Sequence, residues 1–321
     1  ITYRWGENEK MKKSVLLALL CAGVALLFLT LPAQAATTEV HVVKYASDGT
    51  TILNETNVTY QWMEANLPVH GDGETHYYFQ GPIFEEEWNH VHSNEAYDMW
   101  NPAEDVNVES RDYGAVQGTD VKDLCDLVGG MSQGDEIKIK ASDGYNKWFN
   151  YTNVYEPQPR QGSLVLCWHN GEESSTGEHQ GVGYPDTGYY VGMRLIFFAD
   201  TSTNPYDHHV FGNWDMHECL TPKYWHNYTV QGGKEYPSSS GLSLKRVDTI
   251  AIYSTMEPPK PTPTPMPSLS PSPTANLLNN TSAPPHSDEG TEFPYWIVVV
   301  IVIVLILIGC LIEVRNEWKR K

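Results

Sequence analysis

The sequence predicts a strand-dominated α+β domain, on three observations. Within residues 118–145 the apolar period changes from that of a helix to that of a strand. Residues 39–45, 164–168, 193–198 and 247–253 are further apolar segments of strand length. Between the first two of these, residues 69–111 are acidic and rich in aromatics, with neither period, and read as a loop-rich surface arm packed by its own rings.

In chain order, residues 39–45 alternate Val40, Val42 and Tyr45 with polar residues, and the Asp48-Gly49 pair turns the chain. Thr59 can cap a short helix through Tyr60, Met63 and Leu67, which Pro68 stops. The arm follows, carrying Tyr77, Tyr78, Phe79, Trp88, Tyr97 and Trp100. Asp120 then caps a helix in which Val121, Leu124, Cys125 and Val128 form one apolar stripe. Asp123 sits in the first turn, where the helix dipole favours an anion, and Gly129-Gly130 ends the helix. After Gly134, Ile137, Ile139 and Ala141 face one way while Lys138 and Lys140 face the other, as in a half-buried strand, and Asp143-Gly144 makes the next turn.

The two ends predict an exported, anchored chain. Residues 1–10 read as a leader upstream of Met11, and residues 11–35 as a signal peptide. In it Lys12 and Lys13 precede an uncharged run, 14–31, and Ala33-Gln34-Ala35 offers a cleavage site; the length of the run also allows an uncleaved anchor. At the other end residues 293–312 carry no charge. The spanning helix is taken as 295–312, with Tyr295 and Trp296 at the outer interface and a basic cytoplasmic tail, 313–321, holding Arg315, Lys319, Arg320 and Lys321. Residues 257–294, rich in Pro, Thr and Ser (PPKPTPTPMPSLSPSPT), form an extended stalk between anchor and body.

The body, residues 36–256, is long enough for a real core. A net charge of -19 points away from nucleic acid and anionic lipid heads, and towards an acidic exterior. Asn54, Asn57, Asn150, Asn227, Asn279 and Asn280 lie in N-x-S/T sequons, as suits glycosylation of an exported surface.

Chemistry concentrates in residues 207–226, DHHVFGNWDMHECLTPKYWH. His209, His217, Cys219 and His226 are the candidate metal ligands; on an extended segment His217 and Cys219 point the same way, and imidazole with thiolate suits Cu or Zn. The competing reading is an aromatic loop in which histidines fill hydrogen-bonding positions. Export also allows a Cys167–Cys219 disulfide, set against two free thiols, while Cys125 falls on the apolar stripe as a buried thiol. Glu85, Glu86, Glu87, Glu104 and Asp105 read as a solvated acidic face, since no Ca²⁺ loop spacing is present. The chain has no H-E-x-x-H, C-x-x-C or P-loop.

Two stretches, Gly118-Thr119-Asp120-Val121-Lys122-Asp123-Leu124 and Ser142-Asp143-Gly144-Tyr145, resemble the core of the oxidoreductase molybdopterin-binding domain, the sulfite-oxidase fold. Further resemblances follow in order: Asn153-Val154-Tyr155 at a strand-to-loop passage, Trp168-His169-Asn170-Gly171-Glu172 at a turn, the strand Met193-Arg194-Leu195-Ile196-Phe197, and Leu244-Lys245-Arg246-Val247 running into Ile250-Ala251-Ile252. Together they cover residues 38–254. The resemblance implies a sulfite-oxidase-like fold in which Asp143, Tyr145, Arg194 and Lys245 shape the fold or a molybdopterin pocket. It also implies a metal-holding cysteine ahead of the helix, and residues 75–116 contain none. The layout of signal, body, stalk, helix and basic tail resembles surface proteins of methanogenic archaea. Three readings follow: a membrane-anchored surface protein without the molybdenum site that binds a ligand, a metal or an envelope partner; an extracytoplasmic molybdopterin- or metal-dependent oxidoreductase; and a structural or adhesive envelope module.

Overall fold

The structure, a computed structural model, describes residues 36–259. The leader, the signal peptide, the spanning helix, the cytoplasmic tail, Asn279, Asn280 and all but the start of the stalk lie outside the described residues. Among the described residues no helix is long and apolar enough to cross a membrane.

Strand outweighs helix, in an α+β arrangement of two five-stranded sheets and a small hairpin. The first sheet has the order β2-β1-β12-β5-β6, from β1 (Glu39–Tyr45), β2 (Ile52–Thr59), β5 (Glu136–Ala141), β6 (Asn146–Asn150) and β12 (Val247–Tyr253). The chain's first and last described strands, β1 and β12, pair in parallel, so the ends of the body close on each other. The second sheet has the order β8-β7-β4-β3-β9, from β3 (His76–Phe79), β4 (Asp112–Asp120), β7 (Ser163–Asn170), β8 (Arg194–Phe198) and β9 (His209–Phe211). Strands β10 (Asn227–Thr229) and β11 (Glu235–Pro237) form the hairpin.

One core joins the sheets. Ile137, Ile139, Phe149, Ile250 and Ile252 from the first and Leu164, Trp168 and Phe197 from the second belong to the same buried cluster, and the Phe149 and Phe197 rings meet edge to face at 5.7 Å. Helix α3 (Val121–Asp126) forms where its stripe and cap predict: the Asp120 carboxylate accepts from the Lys122 N–H at 2.9 Å, and Val121, Leu124 and Cys125 are buried. Each such side chain contributes ~1.5–3 kcal/mol by leaving water. Helix α1 (Tyr60–Asn66) likewise takes its cap from Thr59, whose hydroxyl accepts from the Trp62 N–H at 3.2 Å.

The stretch 69–111 is less of an arm than its composition suggests. Its rings Tyr77, Tyr78 and Phe79 lie on β3, an interior strand, and helix α2 (Glu85–Val91) buries Trp88. Two other expectations are corrected. Asn153-Val154-Tyr155 belongs to the short helix α4 (Tyr151–Tyr155), capped by the Asn150 side chain, rather than to a strand-to-loop passage. Residues 213–219 are the helix α5 (Asn213–Cys219), not an extended segment.

Candidate functional site

Residues 238–247 run across the second sheet's edge and position the groups that the sequence singles out. A 3-10 turn, Ser239–Leu242, is pinned by buried polar side chains: the Ser239 N–H donates to Asn213 Oδ1 at 2.8 Å, its hydroxyl donates to the Phe211 carbonyl at 2.7 Å, and the Gln80 N–H donates to the Ser239 hydroxyl at 3.0 Å. Beyond the turn the backbone joins β8, with the Leu195 N–H on the Leu244 carbonyl at 2.9 Å and the Val247 N–H on the Met193 carbonyl at 2.8 Å. All these partners are satisfied, so the segment is a rigid floor.

Two groups of predicted residues stand on this floor. In the first, Arg194 is buried, its Nε donating to Ser243 Oγ at 2.7 Å and its Nη1 to Gln180 Oε1 at 2.8 Å and Glu178 Oε2 at 3.2 Å. Its guanidinium lies 3.5 Å from the centre of the Tyr113 ring, and Lys245 takes the other Glu178 oxygen. Arg194 and Lys245 are thus brought together, and a single carboxylate bridges both.

The second group contains Tyr145 and His226, drawn from two different predicted sets, with a residue between them that the sequence reading passed over. Lys147 Nζ donates to His226 Nδ1 at 2.9 Å and sits 5.2 Å over the Tyr145 ring, while the Tyr145 hydroxyl donates to the Gly241 carbonyl at 2.6 Å. The His226 ring lies against Gly241, where a Cβ would overlap it, so any larger residue would displace the imidazole. Lys147 is half-buried because β6 pairs it with Ile139, which puts its side chain on the sheet's core face beside the buried Phe149. Burial pushes the Lys147 ammonium down to about 8, and burial together with the Lys147 charge pushes His226 down to about 4. At neutral pH the imidazole is therefore a neutral acceptor for a cation that has no carboxylate beside it. The signal for this group was the strand period: Tyr145 and Lys147, two apart after a turn, share a face.

The remaining predicted ligands are dispersed. On α5, His217 and Cys219 are two residues apart and point to different sides of a helix, whereas an extended segment would have aligned them. His217 is held by rings, Trp214 at 5.3 Å, Trp225 at 5.1 Å and Trp100 at 4.6 Å, which is the aromatic-loop reading of this stretch. His209 lies on β9 against the Tyr77 ring, 6.0 Å away, its Nδ1 buried without a partner. Among the described residues no group of three His, Cys, Asp or Glu side chains is placed to hold a metal. Cys125, Cys167 and Cys219 are free thiols, so the Cys167–Cys219 pairing does not form in this structure. Asp143 serves its turn, accepting from the Tyr145 N–H at 2.8 Å. Asn54, Asn57 and Asn227 are exposed, while the Asn150 side chain is occupied in capping α4.

One cluster was hidden by its sequence. Glu104, expected on a solvated face, is 2% exposed and lies against Asp215, 0% exposed. The Asp215 N–H donates to Glu104 Oε1 at 2.9 Å, and Arg160 and Ser202 both donate to the Asp215 carboxylate. Burial, reinforced by the Asp215 charge, raises Glu104 to about 9; burial raises Asp215 as well, but Ser202 and Arg160 oppose this, so the proton of the pair falls to Glu104. Cys219 lies in the same field: burial, then the Asp215 charge, pushes its thiol up to about 12.

These residues do not fit a molybdopterin. Cys125 and Cys167 are fully buried in the core, away from solvent, and Cys219, at the end of α5, belongs to no group of three potential ligands among the described residues. Arg194 and Lys245, which the resemblance assigns to the fold or the cofactor pocket, are both engaged by the one Glu178 carboxylate. Compared with known proteins, the chain matches no protein-family model, no curated protein and no solved structure.

Proposed function

We propose that the chain is a membrane-anchored cell-surface protein whose body, on a sulfite-oxidase-like fold without a molybdenum site, binds a small ligand carrying an acid group. The observation that carries the binding role is Lys147, a half-buried ammonium whose polar partner is a neutral imidazole, in a chain of net charge -19. A cation held away from carboxylates in so acidic a protein is a place for an anion from outside. Tyr145, 41% exposed, borders it, so a ligand can arrive from solvent. The fold proposal is supported by the way its quoted stretches fall on successive elements: 118–124 across the β4–α3 junction, 142–145 on the turn after β5, and 244–252 leading into β12. Anchoring is supported by the two uncharged runs and the basic tail.

Titration of the full-length protein in detergent with sulfate and with acetate, followed by calorimetry, tests the binding role. Saturable binding that is lost in Lys147→Met supports it, and equal heats for both proteins overturn it. Elemental analysis of the same sample is expected to show no molybdenum; one equivalent would restore the oxidoreductase. A membrane-impermeant amine reagent should label the body on intact cells.

A further inference from the structure

We infer that Lys147 is an amine nucleophile that captures an aldehyde bearing an acid group, holding it as an imine. This deepens the proposed binding role and rests on the reading of Tyr145, Lys147 and His226 as the ligand site.

Lys147 differs from the other described lysines in being half-buried and bonded to an imidazole; Lys138 and Lys234 lie over aromatic rings. Lys44 is spent on the Gly129 and Gly130 carbonyls, and Lys223 and Lys245 are each paired with a carboxylate. A lysine bonded to a carboxylate is held as the ammonium, which has no lone pair to give. Lys147 instead faces a nitrogen lone pair, that of His226 Nδ1 at 2.9 Å, and its stem runs along the core face of β6. The imidazole orients the amine without contributing negative charge to hold the proton. The ring lies against Gly241, and its backbone is held by the Ser238 N–H donating to the His226 carbonyl at 2.9 Å. Burial acts in the same direction, lowering the cost of the free amine.

The step balances with these groups and water. The Lys147 ammonium gives a proton to solvent, and the free amine attacks the carbonyl carbon, forming the C–N bond as the C=O π pair moves to oxygen. That oxygen takes two protons, one from solvent and one from the nitrogen, and the C–O bond breaks to release water. The product is the protonated imine, R–CH=NH⁺–Lys147, so the proton first given to solvent is balanced by the one taken back; nothing is oxidised or reduced. The exposed Tyr145 ring covers one side of the amine at 5.2 Å and is the surface against which the bound aldehyde packs. The acid group follows from the cation: the protonated imine keeps the positive charge of Lys147, still without a carboxylate of the protein beside it.

The probe is glyoxylate with cyanoborohydride, applied to the full-length protein in detergent at pH 7.5, with each lysine's modification followed by peptide mapping. Lys147 is expected to react on the order of a hundredfold faster than Lys138, which is half-exposed over the Trp148 ring, since each unit by which burial lowers the Lys147 value raises its free-amine fraction about tenfold. The Lys147 rate should rise with a midpoint near its own lowered value of about 8, and the preference should vanish in urea. A Lys147 rate equal to that of Lys138 in the folded protein, with sulfate binding intact, overturns the capture and leaves the anion site standing. Equal rates together with absent sulfate binding overturn both. Retained preference in His226→Asn would remove the imidazole from the argument.

Discussion

Two clusters of charge in this body are built from similar parts and differ in what surrounds them. Around Glu104 and Asp215 the charges are buried and mutually satisfied: one proton, one guanidinium, a hydroxyl and a backbone N–H meet two carboxyls. Around Lys147 a cation is half-buried against an imidazole and an aromatic ring, with no opposite charge supplied by the protein. The first arrangement is complete without a ligand and ties α5 to the loop before β4. In the proposed function the second is completed by a ligand that is negative or electrophilic. The difference shows that burial alone does not mark a site, since the more deeply buried cluster is the more structural one; the missing counter-charge does.

The largest effects are expected where the charges are complete. Arg160→Met leaves the Asp215 carboxylate buried without its counter-ion. Breaking a buried pair costs ~3–5 kcal/mol, and because Arg160 is itself 48% exposed a value of about 2–3 kcal/mol is expected as a lowered urea midpoint. An unchanged midpoint would mean that Asp215 is not the ionised partner. The proton on Glu104 has a separate signature. Its folded pKa, about 9, lies above the ordinary 4.5, so between these values the folded chain holds a proton that the unfolded chain has lost. Stability should therefore fall as pH rises through this window, and Glu104→Gln, which is neutral at every pH, should flatten the slope. A wild-type protein whose stability does not decline towards pH 9 would place the proton elsewhere.

That contrast was unequally legible in the sequence. Helix α3 and strand β5 were readable, because Val121, Leu124 and Cys125 keep one period and Ile137, Ile139 and Ala141 another, and both faces are decided by the same core, although the helix ends at Asp126, short of Val128 and the Gly129-Gly130 stop. Strand β2 was not, since its sequence ILNETNVT places mostly polar residues on an exposed edge, where pairing with β1 rather than burial makes the strand. Helix α5 was not legible, because its histidines and tryptophans suit an extended segment or an aromatic loop, while the helix is marked only by Met216 and Leu220, a buried pair at helical spacing. Glu104 was unreadable for a different reason. Its burial depends on left-handed backbone at Asn101, Glu104 and Asn107, with φ of 45°, 52° and 53°, which folds an acidic loop inward towards partners more than fifty residues away. Of the candidate ligands, the sequence placed Tyr145 and His226 in different sets, and only the packing of β6 against Gly241 joins them through Lys147.

The smallest effect separates two roles for Lys147. Strand β6 is an edge of its sheet, and an inward-pointing charge on an edge strand is also a device against pairing with another chain. Between its folded value, about 8, and the ordinary 10.5, the folded chain sheds this proton before the unfolded chain does, so the cost of the buried ammonium is fully present below pH 8 and fades as pH rises to 10.5. Lys147→Met removes that cost and should raise stability at pH 7 by about 1 kcal/mol, allowing for the screening of a half-exposed group. An edge guard alone would leave the Met variant more stable, prone to associate, and unchanged towards sulfate. A ligand site predicts a monomer that is more stable and has lost the anion, because a cation kept at the expense of stability is retained for what it binds.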